Sequence, residues 1–540
     1  MKRTLLSITI CLSMIFSGCK AQPEEPIPIP EPEPTLKYIF LFIGDGMSYG
    51  QIQLTSDYLG SLDDKDYEKA LPSIPFEEKE DATLQGPVYL NFMNFETSGS
   101  AVNYDSSSFI PNSSSTGTTI ASGQKTHSSM VGVTDNGVTK VETIAEQLKN
   151  KLGFKVALVT TANINHATPA AFYAHNCDRT DYYNIGKDLI SSNFDFIYGG
   201  PFAKASGAEG EDVSLYELAK KAGYLVVQND DVISVLSSKS PKAIAVDEIC
   251  SSDKSLSFEL DRIQNPGECS KSLADHVKKA IDVVDNETGF FMMVEAGKID
   301  YACHANDATA AIYDVLALND AVDIALQFKE AHPDETLIIV TADHETGGLS
   351  IGYAQTKYDT YLSYLSNQKI SYEKFVDNYV HEKYFVEKTK FEDAMLDVYN
   401  LFGLKTEAIL KAEATVNNQE FDSEADYSDD RMLLNNSELA QLKTAYELSK
   451  NGYDFRQYTD EQHLMYSTYD PFTTTILHIL EHKCGIDFTT YSHTGLPVPV
   501  FATGFGANDF DGYYDNSTIY NNLYELTGLK ELDTPNGNSQ

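Results

Sequence analysis

Acidic, histidine and hydroxyl residues gather at a few places in this 540-residue chain. Gly44-Asp45-Gly46 is one, and Asn165-His166-Ala167-Thr168 is another. Glu295 followed by Asp300 and His304 makes a further group, as does the pair Asp343-His344. Oxygen and nitrogen donors in this mixture suit zinc and magnesium. Asp300 and His304 stand one helical turn apart, so a helix starting there turns both toward one cation. Asp343 and His344 are neighbours, and at an irregular strand end both can turn inward. A different chemistry is offered by Asn112-Ser113-Ser114-Ser115-Thr116-Gly117-Thr118-Thr119, which runs into Ile120-Ala121-Ser122-Gly123. Small residues entering a helix expose backbone N–H groups that receive phosphate. A hydroxyl at that entry, beside a cation, can be deprotonated into a nucleophile. Taken singly, each group has a plain structural reading: Asp-Gly as a turn, Asp-His as a solvated loop, a strand-end Glu as a helix cap, a Ser/Thr run as a loop. Their joint occurrence argues for a site.

The elements that must position them are legible as well. Four apolar runs have strand character: Tyr38 to Ile43, Lys155 to Thr160, Phe290 to Val294 and Thr336 to Thr341. Each leads into one of the polar groups. Helical patterns lie between them, such as Val141 to Lys151 and Ala308 to Phe328. Continuously apolar strands alternating with helices predict an α/β three-layer sandwich, with a central, mostly parallel sheet covered by helices on both faces. Ligand sites of such sheets lie beyond the carboxyl ends of the strands, so the fold would carry all four groups to one edge.

Read together, these segments resemble the alkaline phosphatase family. Phe42-Ile43-Gly44-Asp45-Gly46-Met47 is similar to its opening motif, and Asn112 to Thr118 followed by Gly123-Gln124-Lys125-Thr126 to its nucleophile motif. Thr160 to His175, Val294-Glu295-Ala296-Gly297-Lys298-Ile299-Asp300 with His304, and Thr341-Ala342-Asp343-His344 match in family order, and His493-Thr494-Gly495 stands where a last metal-binding His belongs. The resemblance implies a phosphomonoesterase with Ser113 as nucleophile and Arg179 gripping phosphate through its planar guanidinium. It implies two zinc ions, one on Asp300, His304 and His493, the other on Asp343, His344 and Asp45 beside Ser113. A third cation, magnesium or zinc, would take Asp45, Thr168 and Glu295. A cation pair of this kind stabilises both the attacking and the leaving oxygen of an in-line displacement. The implied partners are small phosphate monoesters.

Three positions depart from the family pattern. Asn112 stands where Asp usually precedes the nucleophile, and is expected to hold Arg179 more weakly than a carboxylate would. Tyr301 follows Asp300, and His166 replaces an Asp near the third cation. The last two leave magnesium and zinc both open there. Two other functions remain readable: a phosphodiesterase or other hydrolase of the same superfamily, and a catalytically silent surface-binding lipoprotein. Diesterase relatives generally lack the third-cation ligands and this Arg, so Thr168, Glu295 and Arg179 favour a monoesterase. A complete ligand set argues against the binder.

The rest of the chain bounds where such an enzyme works. Residues 1–18 read as a lipoprotein signal peptide: Lys2 and Arg3, then an apolar stretch from Leu5 to Phe16 that is too short for a membrane-spanning helix. Phe16-Ser17-Gly18-Cys19 resembles the lipobox of bacterial lipoproteins, implying acylation of Cys19 and a periplasmic or cell-surface protein anchored by lipid alone. Residues 19–36 are rich in Pro and Glu and form a semi-rigid spacer. The catalytic domain is assigned to 37–535. The long separation of His344 from His493 assigns 353–481 to an inserted subdomain, with helices near Glu392 to Phe402 and Ser437 to Lys450, as a lid, a dimer arm or a solvated decoration. Family members are often dimers, so a homodimer is among the assemblies implied. The formal net charge of −40 is a poor surface for nucleic acid. Seven cysteines are too few for a disulfide scaffold, and Cys250 with Cys269 is the most plausible pair by proximity.

Overall fold

Residues 35–63, 84, 86–210, 212–416 and 430–533 are described by a computed structural model of the chain. The leader, Cys19 and most of the spacer lie outside them. The first eight strands are β1 (Tyr38–Gly44), β2 (Thr97–Val102), β3 (Lys155–Asn163), β4 (Phe196–Gly200), β5 (Leu225–Val227), β6 (Ala243–Val246), β7 (Phe290–Ala296) and β8 (Thr336–Thr341). Short strands β9 (Glu345–Thr346), β10 (Ser350–Ile351), β11 (Ile486–Asp487) and β12 (His493–Thr494) follow, then β13 (Val498–Gly504) and β14 (Gly512–Asp515). Ten of them form one sheet in the order β14-β2-β13-β8-β1-β7-β3-β4-β6-β5. The four strands read from the sequence sit side by side at its centre. Every residue of β1, β7 and β8 is buried, as expected for strands covered on both faces.

Among the described strands of this sheet only β13 runs against its neighbours, pairing antiparallel with β8 and with β2. Its reversal has a consequence for the site. The start of β13 lies beside the end of β8, with Val500 opposite Thr341. Residues just before β13 therefore reach the same edge as residues just after β8, and the β9–β12 ladder sets His493 opposite Thr346. β2 points the same way as β8, so the chain after Val102 also emerges there and leads to Ser113.

The 353–481 segment is helical, including Phe391–Phe402, Asn436–Lys450 and Pro471–Cys484. It does not stand apart: Leu362, Phe375, Tyr384, Phe402 and Phe472 belong to the same buried core as the central strands. The segment is also fastened to the sheet side by buried polar contacts. Ser371 donates its N–H and Oγ–H to Asp261, and the N–H of Tyr372 and Nε2 of Gln368 donate to Asp307. Lys298, wholly buried, places its Nζ 3.0 Å from Glu373 Oε2 and 2.8 Å from Ser255 Oγ. Removing one partner of a buried ion pair leaves the other charge uncompensated. Glu373→Ala is thus expected to cost about 3–5 kcal/mol, read as a lowered denaturation midpoint, and an unchanged midpoint would show that Lys298 finds other compensation.

Cys250 and Cys269 line one small cavity, but all five described cysteines are free thiols, so the pairing suggested by proximity is not made. Burial pushes the Cys250 thiol up to about 12, which makes it a poor nucleophile.

Candidate active site

The nucleophile segment folds as the helix Ser113–Ser122, all of it buried. A run of Ser and Thr has low helix propensity because its hydroxyls compete for the backbone. Here the hydroxyls bond within the helix. Thr116, Thr118, Thr119 and Ser122 each donate to the carbonyl one turn back, at 2.9, 2.7, 2.9 and 2.7 Å. Asn112 caps the first turn, accepting from Ser115 N at 3.2 Å, and Gly123 ends it with φ 71°. The three serines are then sorted by their partners. Ser114 Oγ donates to Asn112 Oδ1 at 2.8 Å, and Ser115 Oγ to Asp105 Oδ2 at 2.9 Å. Ser113 Oγ instead faces His344 Nε2 at 3.1 Å.

Asp45 follows β1 and is fully buried. The turn after it needs glycine twice over: Gly46 has φ 72°, and a Cβ there would stand 2.9 Å from Asp300 Cα. That close approach brings Asp45, Asp300 and Asp343 together, with Gly46 N donating to Asp343 Oδ1 at 3.3 Å. His344 Nε2 lies 3.4 Å from Asp45 Oδ1 and 3.3 Å from Asp343 Oδ2. On the adjoining side, His304 Nε2 is 3.4 Å from Asp300 Oδ1 and 3.1 Å from His493 Nε2.

The donor atoms therefore fall into three groups whose members lie within 4.8 Å of one another: Asp300, His304 and His493; Asp45, Asp343 and His344; and Asp45, His166 and Glu295. Thr168 joins the last group, its Oγ1 3.4 Å from Asp45 Oδ2. Arg179 reaches the rim, with Nη2 3.4 Å from His166 Nε2. Asn112 and Arg179 are not hydrogen-bonded to each other; both meet Ser129, through Asn112 Nδ2 at 3.5 Å and the Arg179 N–H at 2.8 Å. The expected hold of Asn112 on the guanidinium is thus replaced by a capping role. Tyr301 stands edge-on to His166, ring centroids 5.9 Å apart.

Several residues that orient these donors escaped the sequence reading. The His304 and His493 Nδ1 atoms bond to the carbonyls of Tyr491 and Pro111 at 2.6 and 2.7 Å. As donors, these Nδ1–H groups leave each Nε2 lone pair facing the centre. Thr346 Oγ1 donates to Asp300 Oδ1 at 2.6 Å, and Thr160 Oγ1 bonds Glu295 Oε2. Carbonyl partners carry no sequence signal, and a lone Thr at a strand end carries almost none.

The electrostatics test whether cations fit. Burial, with Asp343, Asp300 and Glu295 close by, lifts Asp45 well above the usual carboxylate range. Burial likewise pushes Glu295 and Asp343 up to about 7. Asp45 Oδ1, Asp343 Oδ2, Glu295 Oε1 and His166 Nδ1 are buried without a hydrogen-bond partner among the described residues. Buried anions packed this closely are costly unless positive charge offsets them, and the unpartnered oxygens point where ligands to cations would. The donor set fits three cations.

Known proteins are similar to this chain in sequence and fold. The family profile described as "Alkaline phosphatase" matches residues 36–529. The chain belongs to the alkaline phosphatase family. Alkaline phosphatase 3 of Bacillus subtilis (strain 168) is 27% identical over 529 residues, 96% of this chain and 94% of that protein. An alkaline phosphatase of Schizosaccharomyces pombe is 30% identical over 60% of this chain, and the match spans 59% of its length. Among solved structures, the cold-active enzyme from a psychrophilic Shewanella superposes with TM-score 0.67 at 24% identity, covering 91% of this chain and 99% of that one. The Thermus thermophilus alkaline phosphatase gives 0.68 at 21%, covering 92% of each chain. These likenesses show the fold. Membership makes the chain one of a metal-dependent family of phosphoric monoester hydrolases.

Proposed function

We propose that the chain hydrolyses phosphate monoesters to an alcohol and inorganic phosphate through a phosphoserine on Ser113. The observation that carries this reading is the position of Ser113 Oγ. Alone among the three serines, it is turned toward His344, a member of the wholly buried donor group with Asp45 and Asp343. Asp45, Asp343 and His344 would hold one zinc, and Asp300, His304 and His493 another. Asp45, Glu295 and Thr168, with His166 at hand, would hold the third cation, magnesium or zinc. When bound, the cations favour the ionised serine hydroxyl and stabilise charge on the phosphoryl and departing oxygens.

The chain's own residues do the rest. Arg179 binds two non-bridging phosphoryl oxygens in bidentate fashion. At the entry of the Ser113–Ser122 helix the Ser115 N–H is taken by Asn112, while the N–H groups of Ser113 and Ser114 ahead of it lack intrahelical acceptors and favour an anion there. Ser113 Oγ forms a bond to phosphorus as the ester P–O bond breaks and the alcohol departs. Water then cleaves the phosphoserine, restoring the Ser113 hydroxyl and releasing phosphate. A kinetic screen of phosphate monoesters, diesters and sulfate esters on zinc-loaded protein tests the reading. Monoester turnover should lead clearly. Preferred turnover of diesters would assign the chain to the diesterase branch, and no turnover with full metal loading would favour the binder.

We also propose export and lipid anchoring through Cys19, supported by the leader pattern of the sequence. No described helix is long and apolar enough to cross a membrane. Cys19→Ser is expected to move the protein from the detergent phase to the aqueous phase in a phase-separation assay while it stays active. Retention in detergent would point to another anchor.

A further inference from the structure

Two tyrosines of the long segment between β10 and β11, Tyr372 and Tyr469, are linked to the site through Tyr491, which holds a site histidine. The Tyr469 hydroxyl, already disfavoured from ionising by burial, is disfavoured further by the charge of Asp300. Its ring stands 5.8 Å from that of Tyr372, edge to face, and 5.9 Å from that of Tyr491. Tyr491 in turn holds His304 through its carbonyl. Tyr372 also packs edge-on against Phe258, ring centroids 5.7 Å apart, and burial opposes ionisation of its hydroxyl. Tyr301 directly follows Asp300 and lies under Lys298, whose Nζ is 5.1 Å from the ring centroid.

Two features set these three rings apart from ordinary packing aromatics. Tyr301, Tyr372 and Tyr469 are all only half-buried. None of their hydroxyls has a hydrogen-bond partner among the described residues, whereas Tyr173, Tyr384 and Tyr446 in the core all do. A tyrosine whose ring is packed and whose hydroxyl is unclaimed offers both a face and a polar group to a ligand. The rings are also fixed in place. Tyr372 N donates to Asp307 at 2.9 Å, and the neighbouring Glu373 is paired to Lys298 at the start of the helix that bears Asp300 and His304. A surface held this firmly needs little ordering on binding.

In-line attack by Ser113 Oγ from the His344 side directs the departing oxygen toward Asp300, His304 and His493; Tyr301 follows Asp300 in the helix of that group, Tyr469 is linked to it through Tyr491, and Tyr372 packs on Tyr469. We propose that Tyr301, Tyr372 and Tyr469 form a leaving-group wall that favours monoesters whose alcohol carries a planar ring, a nucleoside or an aryl alcohol. This rests on the phosphomonoesterase reading above. It gives the 353–481 segment a role in specificity as a fixed wall, with no lid motion required.

The test compares three esters of primary alcohols, whose leaving groups differ little in basicity: adenosine 5′-monophosphate, 2-phenylethyl phosphate and glycerol 1-phosphate. The zinc-loaded protein should show kcat/KM about tenfold higher for a ring ester than for the glycerol ester, the size of a stacking contact. The larger gain, on the adenosine or on the phenylethyl ester, separates a nucleoside from an aryl alcohol. In Tyr469→Ala and Tyr372→Ala the ratio of ring ester to glycerol ester should fall toward one, mainly through KM, and Tyr469→Phe should keep most of it. A wild-type ratio near one would overturn the wall, whatever the variants do. Equal losses on all three esters in the alanine variants would overturn it too, since they would show support of the cation ligands instead of contact with the alcohol. Absence of turnover on every ester would strike the phosphomonoesterase reading itself, an outcome distinct from turnover without preference.

Discussion

Ser113→Ala is expected to lower kcat/KM for monoesters by about a thousandfold or more, because it removes the atom that carries the covalent intermediate. Size and selectivity together make the prediction informative. Ser114 and Ser115 are chemically identical and adjacent, yet their hydroxyls are committed to Asn112 Oδ1 and Asp105 Oδ2. Losing either bond should cost about 1 kcal/mol of local stability and only a small factor in rate. Phosphate trapped by acid quench from labelled ester should appear on the tryptic peptide bearing Ser113, and should be absent from Ser113→Ala. Label on Ser114, or a Ser114→Ala variant as impaired as Ser113→Ala, would reassign the nucleophile.

Asp45→Asn should be nearly as damaging, for a different reason. Asp45 is the one residue common to two of the three donor groups, with Asp343 and His344 on one side and His166 and Glu295 on the other. Replacing its carboxylate by an amide weakens both sites at once, and an expected fall in turnover of about a thousandfold follows from the several kcal/mol that such cations contribute to phosphoryl-transfer transition states. Stability gives an independent readout. In the wild type, chelation should lower the melting midpoint, since a ligand at a thousandfold its Kd contributes about 4 kcal/mol. Chelation also leaves the buried carboxylates of Asp45, Asp343 and Glu295 facing one another. Asp45→Asn removes one member of that repulsive set, so its chelated form should melt at or above chelated wild type, while its metal-loaded form melts below metal-loaded wild type. Calorimetry with and without chelator decides this. A variant destabilised equally in both conditions would mean that Asp45 supports packing and does not hold cations.

Much of the architecture was written in local pattern. β1, β7 and β8 are unbroken apolar runs because both faces of the sheet are covered, and such runs stay visible without knowledge of their neighbours. The same pattern placed Asp45 and Asp343 just beyond strand ends and Glu295 at the end of its strand, where β7 runs on to include it. Motif spacing put Asp300 and His304 on one helical face, and the helix Lys298–His304 does present both to one centre. Short or half-exposed strands were not read: β5 has three residues, and β2, Thr97-Ser98-Gly99-Ser100-Ala101-Val102, resembles a loop in composition.

What the sequence determined by itself was therefore the candidate donors, the strands that carry most of them, and the family. The tertiary structure shows how donors far apart in the chain come to share a centre. His493 reaches Asp300 because β13 runs antiparallel beside β8, a pairing no local pattern encodes. Ser113 is separated from Ser114 and Ser115 by which way each hydroxyl points around one helical turn, and three like residues in a row cannot reveal that. His166 joins Asp45 and Glu295 through the packing of β3 against β7 and β7 against β1. The 353–481 segment read as an inserted subdomain because of the long separation between His344 and His493. Its apolar faces are buried in the common core, and Lys298 and Asp307 bind it to the helices around the site. Contacts between residues far apart in the chain depend on closing long loops around a shared interior, so only the folded structure shows them.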